Sequence, residues 1–539
     1  MTALQAAVLP SRYVAAGAPR TAADWTLKRC TPPSRVFGAN GLRTGPDGRV
    51  YIAQVTGSQI SALDIATGSV DTISSKGSDI VAPDDVAFLG STLIATEVMN
   101  GRVSALENGV SRVLRDDVPS ANGITVHNNR LFIGECRHDG RLLELGLDGA
   151  APRVILENVP SPNAMEFGPD GLLYFPVMDA NEVWRINVDD PGATPEVVAT
   201  ELGVPDSVKF DSDGTIVSTQ VFSGQVLRID PRTGTKTLLT QLDPGLDNCT
   251  FVDGRLFVSS FTGAITEILG GDAAGSNRSA LPGGLNWPLD LAVGADGALY
   301  IADGTFFYCL QADGTKQVVG TLFTPGYPGF TRGLAAAGPG EFVVTTANGA
   351  VARYRIRTSE HDVLADGFDQ LYGVDLAADG TPVVVEQGTG RVLAIRSGGT
   401  EVLADGLDLP VGVTVAPDGS VLVSERGRVL TLNNGRGETL VGDLELPQGL
   451  LIRDGRLYIV DAGLKAVVEV NLDTGARQTI ADSLPVGAPP GVVPKPLLGM
   501  PPFSGPQGPF AGITAAADGT LYLSADADGS ILALVPTQP

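Results

Sequence analysis

The chain has 539 residues and carries 61 acidic against 37 basic side chains, a formal net charge of -24. That excess of negative charge repels phosphate backbones and anionic lipid, so neither nucleic acid nor a membrane is expected as a partner. With 43% hydrophobic residues beside 68 glycines and 37 prolines, the composition describes a turn-rich folded protein and excludes a disordered one.

Residues 1–35 carry no repeat, and the opening M-T-A-L-Q-A-A-V-L-P-S-R-Y lacks a basic segment followed by a sustained apolar core. No later run reaches the length needed to span a bilayer, and a cytoplasmic protein is expected. Cys30, Cys136, Cys249 and Cys309 are scattered without C-x-x-C spacing, which fits free thiols in a reducing compartment and no zinc site. Trp25 to Arg29 (W-T-L-K-R) reads as a strand able to complete a sheet contributed mostly by the other end of a ring.

From Asn40 to the C-terminus one grammar recurs at a period of roughly 40 residues. Ser161 to Phe175, S-P-N-A-M-E-F-G-P-D-G-L-L-Y-F, shows it: a polar residue after Pro, a short apolar strand, an Asp-Gly turn and a returning strand. The turns fall at Asp47, Asp170, Asp213, Asp253, Asp296, Asp379, Asp418, Asp454 and Asp518. Leu89-Gly90, Asn128-Asn129 and Gly338-Pro339-Gly340 take the same place in the other units. A third strand follows each hairpin, as in Gln225 to Asp230, and often a fourth, as in Thr235 to Thr240.

Four short antiparallel strands per repeat describe a β-propeller blade, and a hairpin in every repeat speaks against a parallel solenoid. Twelve hairpins exceed one ring, so the fold expected is all-β, two six-bladed β-propellers in tandem over residues 36–282 and 287–539. The break falls at Leu281 to Trp287. Residues 484–509 are too Pro-rich for strand or helix and form a lid, an interface segment or a spacer, with Val492, Leu497, Leu498, Met500 and Phe503 marking a packed one.

In a propeller the innermost strand of each blade starts beside the central channel. The first six repeats place Asn40, Asp84, Asn122, Asn163, Asp206 and Asp247 there. Asn and Asp are ordinary turn residues, which is the alternative account. The second half supplies a control, since its equivalents are Leu289, Arg332, Tyr372, Val411, Gln448 and Ala511. Hard oxygens converging from several blades suit Ca²⁺ or another hard divalent cation, which takes about 6 to 8 of them. Gln54, Glu97, Glu135, Gln220 and Ser260, at the ends of the second strands, form an expected second layer on the same face, with His138 just beyond as a proton carrier near neutral pH. Asp303, Glu386, Glu425 and Asp461 sit at the matching places of the second half, where no polar inner ring accompanies them and a structural role is expected.

S-P-N-A-M-E-F-G-P-D-G-L-L-Y-F and V-P-D-S-V-K-F-D-S-D-G-T-I-V (Val204 to Val217) resemble consecutive blade starts of the gluconolactonase and regucalcin (senescence marker protein) family, six-bladed calcium-dependent lactone hydrolases. The second half resembles an NHL-like propeller. The resemblance implies Asn163 and Asp206 as metal ligands, and Asn40 as a third at the first blade start, where G-A-N-G-L stands in place of the family's usual Glu. It also implies Asp206 as the base that activates water and Asn122 as a substrate contact. Together these expectations describe a metal-dependent hydrolase of a small cyclic ester, with Asp206 or His138 drawing the proton from water. Gln54, Asp84, Glu97, Asn122, Glu135, Gln220 and Asp247 would contact the small-molecule substrate. A metal-assisted lyase, isomerase or cyclase on the same scaffold, or a non-catalytic binding propeller, are the alternatives.

Overall fold

Each hairpin closes on a turn whose chemistry is local. Asp47, Asp170, Asp213, Asp296, Asp379, Asp418 and Asp518 accept through Oδ1 the backbone N–H two residues on, and the following glycines take positive φ. Asp253 and Asp454 instead take positive φ themselves (49° each), as do Asn128 and Asn129, matching the tight hairpin turns in which both central residues are left-handed.

The computed structural model describes residues 12, 18–146, 150–270, 277–433, 435–501 and 503–537, so the opening stretch from Met1 to Tyr13 lies outside it except Arg12. The chain divides into two compact units. One comprises Arg35–Gly284 with Val493–Leu497; the other comprises the described residues up to Ser34, Leu285–Val492 and the described residues from Leu498 onward. Among the described residues the sheets number twelve, six in each unit, all antiparallel. The expected all-β propeller fold is what the chain adopts, and Met178–Ala180 is its one helical turn among the described residues. Among the described residues no helix is long and apolar enough to cross a membrane.

In the first unit the innermost strands are Leu42–Thr44, Pro83–Leu89, Ala121–His127, Glu166–Phe167, Pro205–Phe210 and Leu246–Val252. Their sheets stack face to face through successive apolar layers. Ile52 and Leu42 pack with Phe257 and Ile265 of the last sheet, which closes the ring on hydrophobic burial. The intervening layers are of the same kind, for example Phe132 with Phe175 and Tyr174 with Val208.

In the second unit the first and last innermost strands, Leu291–Val293 and Ile513–Ala515, also meet. Its last sheet takes its outermost strand from the start of the chain: Trp25–Arg29 pairs antiparallel with Ser530–Pro536. Arg20–Thr21 adds a fifth strand to the sheet before it.

Neighbouring innermost strands come close enough to bond. The N–H of Gly41 donates to the Asp84 carbonyl (2.7 Å), Ala164 to Asp206 (3.1 Å), Gly373 to Val411 (3.0 Å), Gly449 to Ala511 (3.0 Å) and Gly512 to Leu289 (2.9 Å). A methyl group on Gly123 would collide with the Asn163 carbonyl, which is why so many of these strands carry Gly just after their first residue.

Candidate functional site

The hydrogen-bonded belt of the first ring brings the six strand starts to one mouth of its channel. Asn40, Asn122, Asn163, Asp206 and Asp247 are 3–8% exposed and Asp84 is half-buried. Asn163 Nδ2 donates to Asp206 Oδ2 (3.0 Å), and Asn40 Nδ2 donates to Asp247 Oδ2 (3.1 Å). Asp206 and Asp247 are adjacent in the ring and each feels the charge of the other or of Asp84. The turn preference of Asn and Asp does not account for this, since their side chains point at one another rather than at their own turns.

Burial pushes all three carboxyls up, and like charges add to it. Asp84 rises to about 7 through burial and then Asp85. Asp206 rises well above the carboxylate range through burial, then Asp84 and Asp85, against a hydrogen bond with Asp247. Asp247 does so through burial, then Asp206 and Asp84, against the favourable bond from Asn40. A carboxyl raised on folding loses its proton first in the unfolded chain, so the stability it contributes is complete below the unfolded value and is lost as pH rises through the folded one. In chelator the melting temperature should therefore fall between about pH 4, the ordinary carboxylate value, and the value of about 7 held by Asp84. Asp84→Asn should flatten part of that fall; a wild-type melting temperature that is level or rising over the same window would contradict this arrangement.

Further along the strands, three residues past Asn40, Asn163 and Asp206 and one past Asp84, lies a second, neutralised layer. Arg43 pairs with Glu166 (3.1 Å) and lies 3.9 Å from Asp85; Lys209 pairs with Glu166 (2.7 Å). Burial works against the Glu166 anion, but Lys209 and Arg43 hold it below its ordinary value. Asp85 joins neighbouring strands by accepting from the N–H groups of Val86 (2.8 Å) and Ile124 (3.3 Å). Both cations are thus engaged in this layer, while the Asp84, Asp206 and Asp247 layer has none of its own. Sequence reasoning missed this layer, whose two cations and two anions at Arg43, Asp85, Glu166 and Lys209 were the available signal.

The expected second layer does not line the mouth. Gln54, Glu97, Glu135 and Gln220 are fully buried at the ends of their strands, with their polar atoms folded back onto the protein. Gln54 Oε1 accepts from Phe37 N–H (2.8 Å), Glu97 Oε2 from Val81 N–H (2.8 Å) and Gln220 Oε1 from Gly203 N–H (3.0 Å). Glu135 is held by Arg137 and Arg141, and Ser260 bonds Thr262. Substrate contact by these side chains is corrected to a structural role, because a buried polar group must be paired and each finds its partners in the incoming loop or the next strand. In the second ring Asp303 accepts from Asn286 and Trp287, Glu386 from Asp369, Glu425 from Asp408, and Asp461 from Glu445 and Leu446, by the same construction.

His138 stands at the rim. Its side chain is 90% exposed and meets Asp179 (3.2 Å), which also accepts from Ser161 Oγ (2.9 Å). It makes no contact with the three carboxylates. Closer to them are two residues not expected at this site: Met178 Sδ accepts from Asn163 Nδ2 (3.0 Å), and Cys136 Sγ lies 3.7 Å from Met178 Sδ. Burial, then the charges of Asp84 and Asp206, push the Cys136 thiol well up, so it stays protonated.

The matching mouth of the second ring is filled by its own chain. Arg332 is fully buried, its guanidinium 4.2 Å from the Tyr372 ring centre and 5.8 Å from that of Trp287. It donates to Leu371 O (2.9 Å), Gln507 Oε1 (3.2 Å) and Gly508 O (2.7 Å), and Phe510 packs edge-on against Tyr372. Part of the Pro-rich segment is therefore packed at this axis.

Among the described residues no three His, Cys, Asp or Glu side chains form a group that could hold a metal ion by themselves. A donor set at the first mouth has to draw on amide oxygens, and one is free: Asn122 Oδ1 is buried without a hydrogen-bond partner. The Asn163 amide turns its NH₂ to Asp206, leaving its carbonyl oxygen as the other hard donor. Amide oxygens beside unneutralised carboxylates fit a hard divalent cation and do not fit a soft one.

Residues 39–262 match the family described as SMP-30/Gluconolactonase/LRE-like region, which bears out the resemblance seen in the blade starts of the first ring. No curated protein matches the chain. Among solved structures it is similar to a gluconolactonase from Xanthomonas campestris (17% identity, 47% of this chain and 94% of that one, TM-score 0.38). It is similar also to the calcium-binding protein regucalcin from Agrobacterium tumefaciens (17%, 43% and 85%, TM-score 0.36). A streptogramin B lyase matches at 17% identity over 52% of this chain and 94% of that one, with a TM-score of 0.37.

Proposed function

We propose that the first ring is a lactonase-type hydrolase, dependent on a divalent cation such as Ca²⁺, that opens a small cyclic ester at the mouth where Asp84, Asp206 and Asp247 converge. The observation that carries it is that convergence of buried carboxylates and amides without a protein cation, inside the stretch that matches the gluconolactonase family.

Asn163 and Asp206 would hold the cation, which when bound supplies Lewis-acid polarisation of the lactone carbonyl. Asp206 Oδ2 is engaged by Asn163, and in this reading Oδ1 turns to water. Water adds to the carbonyl carbon as its proton passes to Asp206 Oδ1; the ring C–O bond then breaks and that proton moves to the departing alkoxide. Asp84, on a neighbouring strand, would orient substrate hydroxyls, and Asn122 Oδ1 would add an amide oxygen toward the cation. The four free cysteines support placement in the cytoplasm, and the negative charge supports a small molecule as the partner.

The test is acid release from a panel of aldono-δ- and γ-lactones, measured after chelation and again with CaCl₂ restored. Release that needs the cation, with label from ¹⁸O-water in the product, is expected. A panel on which no lactone is opened, or full activity in chelator, would remove this function. Opening without label would transfer the site to lyase or isomerase chemistry.

A further inference from the structure

We infer that Asp247 is the second anionic ligand of this cation site, and that Asn40 serves to position it rather than to bind the ion. The inference rests on the function proposed above.

Asn40 is spoken for at both ends of its amide. Oδ1 accepts from the backbone N–H of Val55 (3.1 Å), and because a backbone N–H can only donate, this fixes which way the amide is turned. Its NH₂ therefore faces Asp247 Oδ2 at 3.1 Å. A side chain whose oxygen is tied to the backbone and whose NH₂ faces the mouth offers a cation nothing. It does to Asp247 what Asn163 does to Asp206, donating to one carboxylate oxygen from the adjacent sheet (3.0 Å in that pair).

Asp247 is 3% exposed, beside Asp206 in the ring. The nearby cations cannot neutralise it, since Arg43 and Lys209 are paired with Glu166 in the layer beyond. Independently of the acids, Asn122 Oδ1 is left without a donor although only 5% of that residue is exposed. Two held carboxylates and an orphan amide oxygen share one unmet requirement, a positive ligand with no hydrogen-bond acceptors. A hard cation meets it.

The experiment is calorimetric titration of the chelator-stripped full chain with CaCl₂, for the wild type, Asp247→Asn and Asn40→Ala, with melting temperatures of the stripped proteins alongside. Asp247→Asn should weaken Ca²⁺ binding by on the order of 10²-fold, since ligand charge sets affinity in such sites. Asn40→Ala should weaken it by about 10-fold, as loss of a group orienting a ligand does. Neither should lower the melting temperature of the stripped protein by more than a few degrees. Asp247→Asn that binds Ca²⁺ as tightly as the wild type overturns the assignment and leaves the proposed function standing; a wild type that binds no Ca²⁺ overturns both. Should Asp247→Asn fail to fold, Asn40→Ala with unaltered affinity overturns the assignment alone.

Discussion

Asp206→Ala is expected to lower kcat for lactone opening by about 10²- to 10⁴-fold, the range a positioned proton acceptor contributes. Its removal leaves Asn163 Nδ2 without its carboxylate partner but also takes one of three like-charged groups out of a buried cluster. The two effects oppose each other in stability, so the metal-free protein should melt close to the wild-type temperature at neutral pH. His138→Ala is the companion measurement. A side chain 90% exposed and paired only with Asp179 should be dispensable, with kcat near that of the wild type. If His138→Ala were the silent enzyme and Asp206→Ala the active one, the proton would be moved at the rim and the chemistry proposed for Asp206 would be wrong.

The second large effect lies in the other ring and is structural. Asp461→Ala strips the acceptor from four backbone N–H groups: those of Glu445 (2.8 Å), Leu446 (2.9 Å), Gly463 (3.0 Å) and Leu464 (3.0 Å). Asp461 is fully buried, so water does not readily replace it, and each buried donor left unpaired costs about 1–3 kcal/mol. Allowing for relaxation of the loop, a loss of about 3 kcal/mol or more is expected. At roughly 2–4 °C per kcal/mol for a unit of this size, the transition of that ring should fall by roughly 6–12 °C in calorimetry. An unaltered transition would mean that the acid is not what holds the incoming loop. Ca²⁺ affinity should not change, which separates this carboxylate from those of the first mouth.

The contrast between those two acids shows where the sequence was legible. The hairpins were plain because an Asp-Gly or Asn-Asn pair is a local signal, satisfied within three residues, as Asp170 Oδ1 and Leu172 N–H show. The six strand starts were legible because the repeat carries equivalent residues to one axis. What the repeat cannot say is whether a polar side chain at a strand end turns outward or back upon the chain. Glu97 and Glu386 occupy equivalent places in the two rings and do the same thing, yet only the second was expected to be structural.

A signal was present all the same. Glu97 faces Arg102 across the second hairpin, Glu386 faces Arg391 and Glu425 faces Arg428. An acid at the end of one strand with an arginine opening the next is a cross-strand ion pair written in the sequence. Arg332 was not legible in this way. Its partners Gln507 and Gly508 are far along the chain, and its local neighbours gave no hint of burial between Tyr372 and Trp287.

The pairing of Arg20–Thr21 and Trp25–Arg29 with late strands makes the first ring, in the topological sense, an insertion: its polypeptide lies between the two opening strands of the second ring and the rest of it. On the ribosome the inserted ring has all its strands from Leu42 to Leu281 long before the host can close, since the host's last sheet waits for Ser530–Pro536. The nascent chain therefore passes through the later part of its synthesis with one ring complete and the other an open arc whose opening strands are held in reserve.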